Sequence, residues 1–212
     1  MSILNDISAK LQEGKAKDVK ALIEKALAEG VSAKAILEEG LLPGMSIIGD
    51  KFKNNEVYVP EVLISARAMK AGTDILKPYL VKDNVKPLGK ICIGTVKGDL
   101  HDIGKNLVKM MMEGKGIEVV DLGVDVSPEQ FLAAVKDQGC QIVCCSALLT
   151  TTMGVMKDVV DIFVKEGIRD KVKIMIGGAP ITDAYCKSIG ADGYTADAAS
   201  ASDLAVEFIK NA

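Results

Sequence analysis

The sequence predicts two parts, a helical bundle followed by an α/β domain built on a parallel sheet. Apolar residues keep helical spacing throughout residues 1–82. After a polar stretch, VKDNVKPLGK at 81–90, the period changes, and short β-branched runs alternate with helical patterns. Five such units follow. Alternation of this kind implies parallel strands covered by helices on both faces.

The first half divides into four helices. Ile3, Leu4, Ile7 and Leu11 mark the first. Val19, Leu22, Ile23, Ala26 and Leu27 mark the second, and Gly30 follows as a stop. Ser32 can cap a third, which carries Ala35, Ile36, Leu41 and Met45. Pro60 suits the first turn of a fourth, with Val62, Leu63, Ala66, Met69 and Ile75 on one stripe. The set reads as a small four-helix bundle. Pro87 and Gly89 mark the stretch after it as a linker.

In the second half the expected strands are KICIGTV, IEVVDLGV, QIVCCSAL, VKIMIGG and GADGYT. Helices are expected from about 102, from Ser127, and from about 152, 181 and 198. In open parallel sheets, ligands bind beyond the carboxyl ends of the strands. GDLHD follows the first strand, SALLTTT the third, GGAP the fourth and YTADA the fifth. All four converge on one edge.

Composition excludes several classes. Net charge is -3, from 26 basic and 29 acidic residues, which leaves no electrostatic footprint for nucleic acid. No run approaches the roughly 18 apolar residues of a membrane span. The N-terminus, MSILNDISAK, lacks the apolar stretch of a signal peptide. A soluble cytoplasmic protein is expected. The five cysteines, 92, 140, 144, 145 and 186, form no CxxC pair and read as reduced thiols, with Cys144 and Cys145 in the core.

The standard sites of such a sheet fit poorly. Glycines 94, 98 and 104 do not have GxGxxG spacing, so Asp121 reads as a turn residue rather than a ribose ligand. Gly104-Lys105-Asn106 lacks the rest of a P-loop. The third strand ends in Cys144-Cys145-Ser146, without the Asp of a phospho-receiver. Ser146 lies in no GxSxG elbow. One histidine and no paired cysteines leave too few ligands for zinc.

That histidine, His101, lies between Asp99 and Asp102. It reads either as a surface residue beside a helix start or as a ligand. Asp99 can accept a hydrogen bond from one ring nitrogen and leave the other as a lone pair, a usual metal-ligand arrangement. One imidazole can complete the coordination of a metal already held in a macrocycle.

DLHDIG at 99–104, with SALLT at 146–150 and Gly177-Gly178, resembles the DxHxxG…SxL…GG signature of cobalamin-binding domains. These occur in methionine synthase and in the small corrinoid proteins of methyltransferase systems. LLPGMSIIGDKFKNNEVYVPEVLISARAMKAG at 41–72 resembles the helical cap that precedes the domain there. The resemblance implies a cap over 1–86 and a five-stranded, flavodoxin-like (Rossmann-like) B12-binding domain over 87–212.

It further implies that His101 is the lower axial ligand to cobalt, displacing the cofactor's own base. Asp99 would hydrogen-bond His101, and Thr152, where methionine synthase has Ser, would continue the relay. Gly98, Leu100, Asp102, Ile103 and Gly104 would line the cofactor beside them. Ser146, Leu148, Thr150, Gly177, Gly178 and Ala198 match positions near the nucleotide tail. Phe52, Val59 and Val62 match cap residues over the methyl group, with Val59 in place of a larger Leu, and Glu38 matches a position near the corrin. The implied function is a corrinoid methyl carrier, not catalytic alone. Its expected partners are a substrate-specific methyltransferase, an acceptor methyltransferase using tetrahydrofolate or a thiol, and a reductive activator. A cobalamin-binding regulator and a nucleotide-binding domain on the same sheet are the alternatives.

Overall fold

The computed structural model describes residues 2–211. Two compact units are formed: one comprises the chain up to Pro87 with Gly114–Gly116, the other Leu88–Glu113 and the chain from Ile117.

The first unit is helical: α1 (Ile3–Gln12), α2 (Ala16–Ala28), α3 (Ala33–Ala35), a π-helical segment (Ile36–Leu41), α4 (Leu42–Lys53) and α5 (Val59–Lys82). Ser2 and Ser32 accept backbone N–H bonds as N-caps, and Pro60 lies in the first turn of α5. The four expected helices are present, but the third is made of three pieces. The five-residue step from Ile36 to Leu41 would turn about 140° off the starting face of an α-helix. The wider π turn, in which Leu42 N–H bonds the Leu37 carbonyl, lets both side chains be fully buried. It lies just before Pro43, which has no N–H to give and whose ring would crowd an α-helical carbonyl four residues back.

Two further expectations need correction. The buried stripe of α5 runs through Val62, Ala66, Met69 and Leu76, whereas Leu63 is exposed and Ile75 only half-buried. The linker is shorter than expected, because α5 continues to Lys82.

The second unit holds β1 (Lys90–Val96), α6 (Ile103–Glu113), β2 (Glu118–Val126), α7 (Pro128–Gln138), β3 (Ile142–Ser146), α8 (Met153–Lys165), β4 (Lys173–Gly177), α9 (Asp183–Ser188), β5 (Gly193–Tyr194) and α10 (Ala198–Lys210). Among the described residues the sheet is five-stranded, parallel, and ordered β2-β1-β3-β4-β5. This is the flavodoxin-like order. Strand alternation sorts the core into two layers. Cys92, Val143, Cys145, Ile174 and Ile176 pack with Phe131, Val159 and Phe163 of α7 and α8. Ile91, Ile93, Ile142, Cys144 and Met175 pack with Met112 and Ala205 of α6 and α10. All five cysteines are buried and free, and burial pushes the Cys144 thiol up to about 12. No helix among the described residues is long and apolar enough to cross a membrane.

Asp121 is not a turn residue. It lies within β2 and pairs with Lys105, which is buried, and with Lys109 at 3.1 Å. The pair ties α6 to the edge strand.

The end of β4 contains one glycine that the fold requires. Gly178 has φ 131°, and a Cβ there would lie 1.8 Å from the Ala147 carbonyl oxygen. Gly178→Ala is expected to cost about 3 kcal/mol of stability through this backbone clash. Urea unfolding of the variant beside wild type would show it, and an unchanged midpoint would mean the approach relaxes freely.

Candidate functional site

In the order β2-β1-β3, the chain leaves β1 on one side to build β2, then returns to build β3 on the other. The loops after β1 and β3 diverge at this reversal and leave a crevice, the place where ligands bind in such sheets. The β1 loop carries Asp99 and His101, and the β3 loop carries Leu148, Leu149 and Thr152.

Asp99 is completely buried. Its Oδ1 accepts from the His101 backbone N–H at 3.1 Å and pairs with His101 Nδ1 at 2.7 Å. Its Oδ2 accepts from the Leu148 N–H at 2.8 Å, the Leu149 N–H at 3.1 Å and the Thr152 hydroxyl at 3.1 Å. Burial alone pushes the carboxyl up, but the His101 ring and the His101, Leu148 and Leu149 N–H groups outweigh it and hold the acid well below its usual range. An ionised carboxylate only accepts. Nδ1 therefore carries the ring proton, and a neutral imidazole presents Nε2 as a lone pair. The ring is half exposed, so that lone pair is accessible. Thr152 also lies 2.9 Å from the Leu149 carbonyl, so its single proton is shared.

The surroundings are apolar and open. Leu100 is 71% exposed and Ile103 79%, on either side of His101 in sequence, and Leu148 and Leu149 are also exposed. Such a cluster at a strand-end crevice suits a large ligand with apolar edges. A Cβ built on Gly104 or Gly177 would meet nothing within 4 Å.

Two family models match, each described as a B12 binding domain: one over residues 89–202 and one over 3–77. Over 207 residues the chain is 38% identical to dimethylamine corrinoid protein 3 of Methanosarcina acetivorans, covering 98% of this chain and 97% of the relative. A corrinoid protein of Desulfitobacterium hafniense is 37% identical, covering 97% of this chain and 96% of the relative. This chain belongs to the B12-binding corrinoid proteins of methyltransferase systems. In structure it is similar to the methanol:cobalamin methyltransferase complex of Methanosarcina barkeri, with TM-score 0.88, 29% identity, and coverage of 99% of this chain and 80% of that one. It is also similar to a cobalamin-binding protein of D. hafniense, with TM-score 0.79, 30% identity, and coverage of 97% and 98%.

As a corrinoid protein, the chain is the methyl-carrying component of its system, not the methyltransferase itself. Its residues fit the cofactor. Among the described residues no group of three His, Cys, Asp or Glu can hold a metal. One available imidazole nitrogen suits a metal whose other ligands come with a macrocycle, and the space at Gly104 and Gly177 suits close approach by a ligand.

The expected residues are not all equivalent in the corrinoid protein. Gly98, Asp99, Leu100, His101, Asp102, Ile103, Gly104, Leu148 and Thr152 belong to the loops and helix starts just described. Asp102 directly precedes α6, and its carbonyl accepts the Asn106 N–H at 2.8 Å. Ser146 ends β3 half-buried, and Thr150 is exposed. Gly177 ends β4, whereas Gly178 is required by the Ala147 approach. Ala198 opens α10, buried and with little surface to offer. In the helical unit, Glu38 is exposed on the π segment beside Lys34, at 3.9 Å. Phe52 and Val59 are half-buried, and Val62 is fully buried.

Two residues of the site escape sequence reasoning. Thr95 donates its hydroxyl to the His101 carbonyl at 2.8 Å, and Asp125 accepts the Gly98 N–H at 2.7 Å. Thr95 sits inside an apolar strand run, and Asp125 lies between two valines at the tip of β2.

The depressed Asp99 carboxyl has a pH consequence. Its stabilisation is complete above the unfolded value of about 3.9 and is lost as pH falls toward the lower folded value. Asp99→Asn is expected to cost about 2 kcal/mol at pH 7, the scale of a charge-assisted bond. The gap should narrow in urea titrations below pH 4, and a gap as large at pH 3 as at pH 7 would contradict a stabilising charge.

Proposed function

We propose that this corrinoid protein binds its cofactor with the cofactor's own base displaced and His101 Nε2 beneath the cobalt. Residues 1–86 are the cap and 87–212 the cofactor module in this reading. The observation that carries it is the Asp99–His101 pair, in which the one histidine is oriented by a buried, ionised acid. The bound corrinoid supplies the cobalt on which the methyl group travels.

The chain's own residues hold and orient. Asp99 fixes the ring and keeps the proton at Nδ1. Thr152 and the Leu148 and Leu149 N–H groups hold Asp99 against the strand ends. Gly104 and Gly177 leave room for the displaced nucleotide tail, lined by Ser146, Leu148 and Thr150. Leu100 and Ile103 cover apolar edges of the macrocycle and exclude water from them.

The partners are a donor-specific methyltransferase, a second methyltransferase that takes the methyl group to tetrahydrofolate or a thiol, and a reductive activator. The solved relative from M. barkeri is part of a methanol:cobalamin methyltransferase complex. Relatives named for dimethylamine and trimethylamine are 38% and 42% identical to this chain. Such closeness across donors supports donor choice by the partner enzyme rather than by the carrier.

Added cobalamin should give a spectrum with the base off and histidine on, and His101→Ala should shift it to histidine-off while cofactor remains bound. A spectrum unchanged by His101→Ala would rule out this ligand. Gly177→Ala has room in the free protein, so its stability should stay within about 0.5 kcal/mol of wild type. Its cobalamin affinity should fall about tenfold, the loss of roughly 1.4 kcal/mol at a crowded contact. Equal affinities in equilibrium dialysis would place the tail elsewhere.

A further inference from the structure

The loop that carries His101 is held by residues outside its motif. β1 and β2 pair in step from Lys90–Glu118 to Ile93–Asp121, and then β2 gains an extra residue twice: Gly94 pairs with Gly123, and Val96 with Val126. Bulges beside a site re-aim a side chain. The second of these delivers Asp125 in left-handed backbone, φ 56°, which is uncommon for a residue with a Cβ. Asp125 Oδ1 accepts the Gly98 N–H at 2.7 Å. Its own N–H donates to the Asp99 carbonyl at 3.1 Å, and the Val126 carbonyl accepts the Lys97 N–H at 2.9 Å. Three consecutive loop residues are thus tied to the tip of the edge strand. Beyond Asp99, the fully buried Thr95 donates its hydroxyl to the His101 carbonyl at 2.8 Å.

We propose that Asp125 and Thr95 form a main-chain clamp that sets the direction in which His101 presents Nε2. Both are positioning residues, since neither has a bond to the ring. Gly98, at φ 86°, is the pliable point of the loop. Its N–H bond to Asp125 holds the peptide between Lys97 and Gly98, one peptide ahead of the Asp99 N–H, which donates to the Val96 carbonyl at 3.1 Å. Thr95 fixes the other end, so the segment from 98 to 101 is pinned on both sides of the acid. The ring direction then follows from the main chain and the Asp99 bond together.

The inference deepens the proposed ligand role of His101, and its test separates the two. The chain has one histidine, so nitrogen-15 labelling of histidine reports a single imidazole. In the cofactor-free wild type, one tautomer with a protected Nδ1 proton is expected. Asp125→Gly keeps the left-handed backbone and removes the acceptor. Nδ1 proton exchange should then quicken about tenfold, the factor for one lost hydrogen bond. In protein loaded with cobalt(II) cobalamin, the fraction showing nitrogen splitting in the paramagnetic resonance spectrum should fall.

Asp125→Asn keeps an acceptor oxygen and should behave as wild type. Thr95→Val should move both readouts in the same direction as Asp125→Gly, and it carries the test if Asp125→Gly does not fold. Unchanged exchange in these variants overturns the clamp, even if wild type shows nitrogen splitting and the ligand reading stands. Absent splitting in wild type, with exchange that still responds to Asp125→Gly, removes the ligand reading and keeps the clamp.

Discussion

The site depends on one buried carboxylate. Asp99 has no solvent to stabilise its charge, and an unpaired buried ion is costly. Five donors make the burial tolerable: two from His101, two backbone N–H groups from Leu148 and Leu149, and the Thr152 hydroxyl. They come from segments about 50 residues apart in sequence, and only the pairing of β1 with β3 brings those segments together. Sheet order and the holding of the acid that orients His101 are therefore one constraint. A chain that placed β2 between β1 and β3 would bury the same acid without the donors of Leu148, Leu149 and Thr152.

The edge strand adds to this. β2 departs twice from regular pairing and carries a left-handed Asp125, features that weaken a ladder. The second departure falls where the β1 loop must be held, and it brings three hydrogen bonds to that loop. Further down the same strand, Asp121 meets the buried Lys105 of α6, the helix that starts two residues after His101. The helix and the loop before it are thus anchored to one strand by opposite ends of its exposed half.

Most of the second unit was legible because burial on both faces leaves a plain mark: short β-branched runs, alternating with amphipathic helices. Ser127 with Gln130, Thr182 and Asp197 cap the helices that follow β2, β4 and β5. What escaped lies where a bond rather than a period decides. The π segment depends on Pro43 and on a five-residue step that α-helical counting treats as a defect. Leu76 replaces Ile75 in the buried stripe of α5 because a one-residue rotation is within the tolerance of any periodicity argument. Asp121 read as a turn residue because its partner Lys105 is invisible until the helix is laid on the sheet. Thr95 and Asp125 bind main chain, and main-chain partners leave no trace in side-chain pattern. The DxHxxG stretch drew attention to Asp99 and His101, and the resemblance to methionine synthase to Thr152, yet the backbone donors of Leu148 and Leu149 needed coordinates.

The Thr at 152 tests how tightly the contact to Asp99 is specified. A β-branched residue has fewer rotamers than the Ser it resembles, so a wrong preference would swing the hydroxyl away. Here it faces Asp99 Oδ2 and the Leu149 carbonyl together, at 3.1 and 2.9 Å, with Thr152 immediately ahead of α8. One hydroxyl position reaches both acceptors, and the residue is only 7% exposed. The stiffer side chain thus suits a fixed contact: the hydroxyl is held to the acid, and the exposed part of the three-residue set is the imidazole. Exposure rises from the buried hydroxyl and the buried acid to the half-exposed ring, so the order Thr152, Asp99, His101 runs from root to tip.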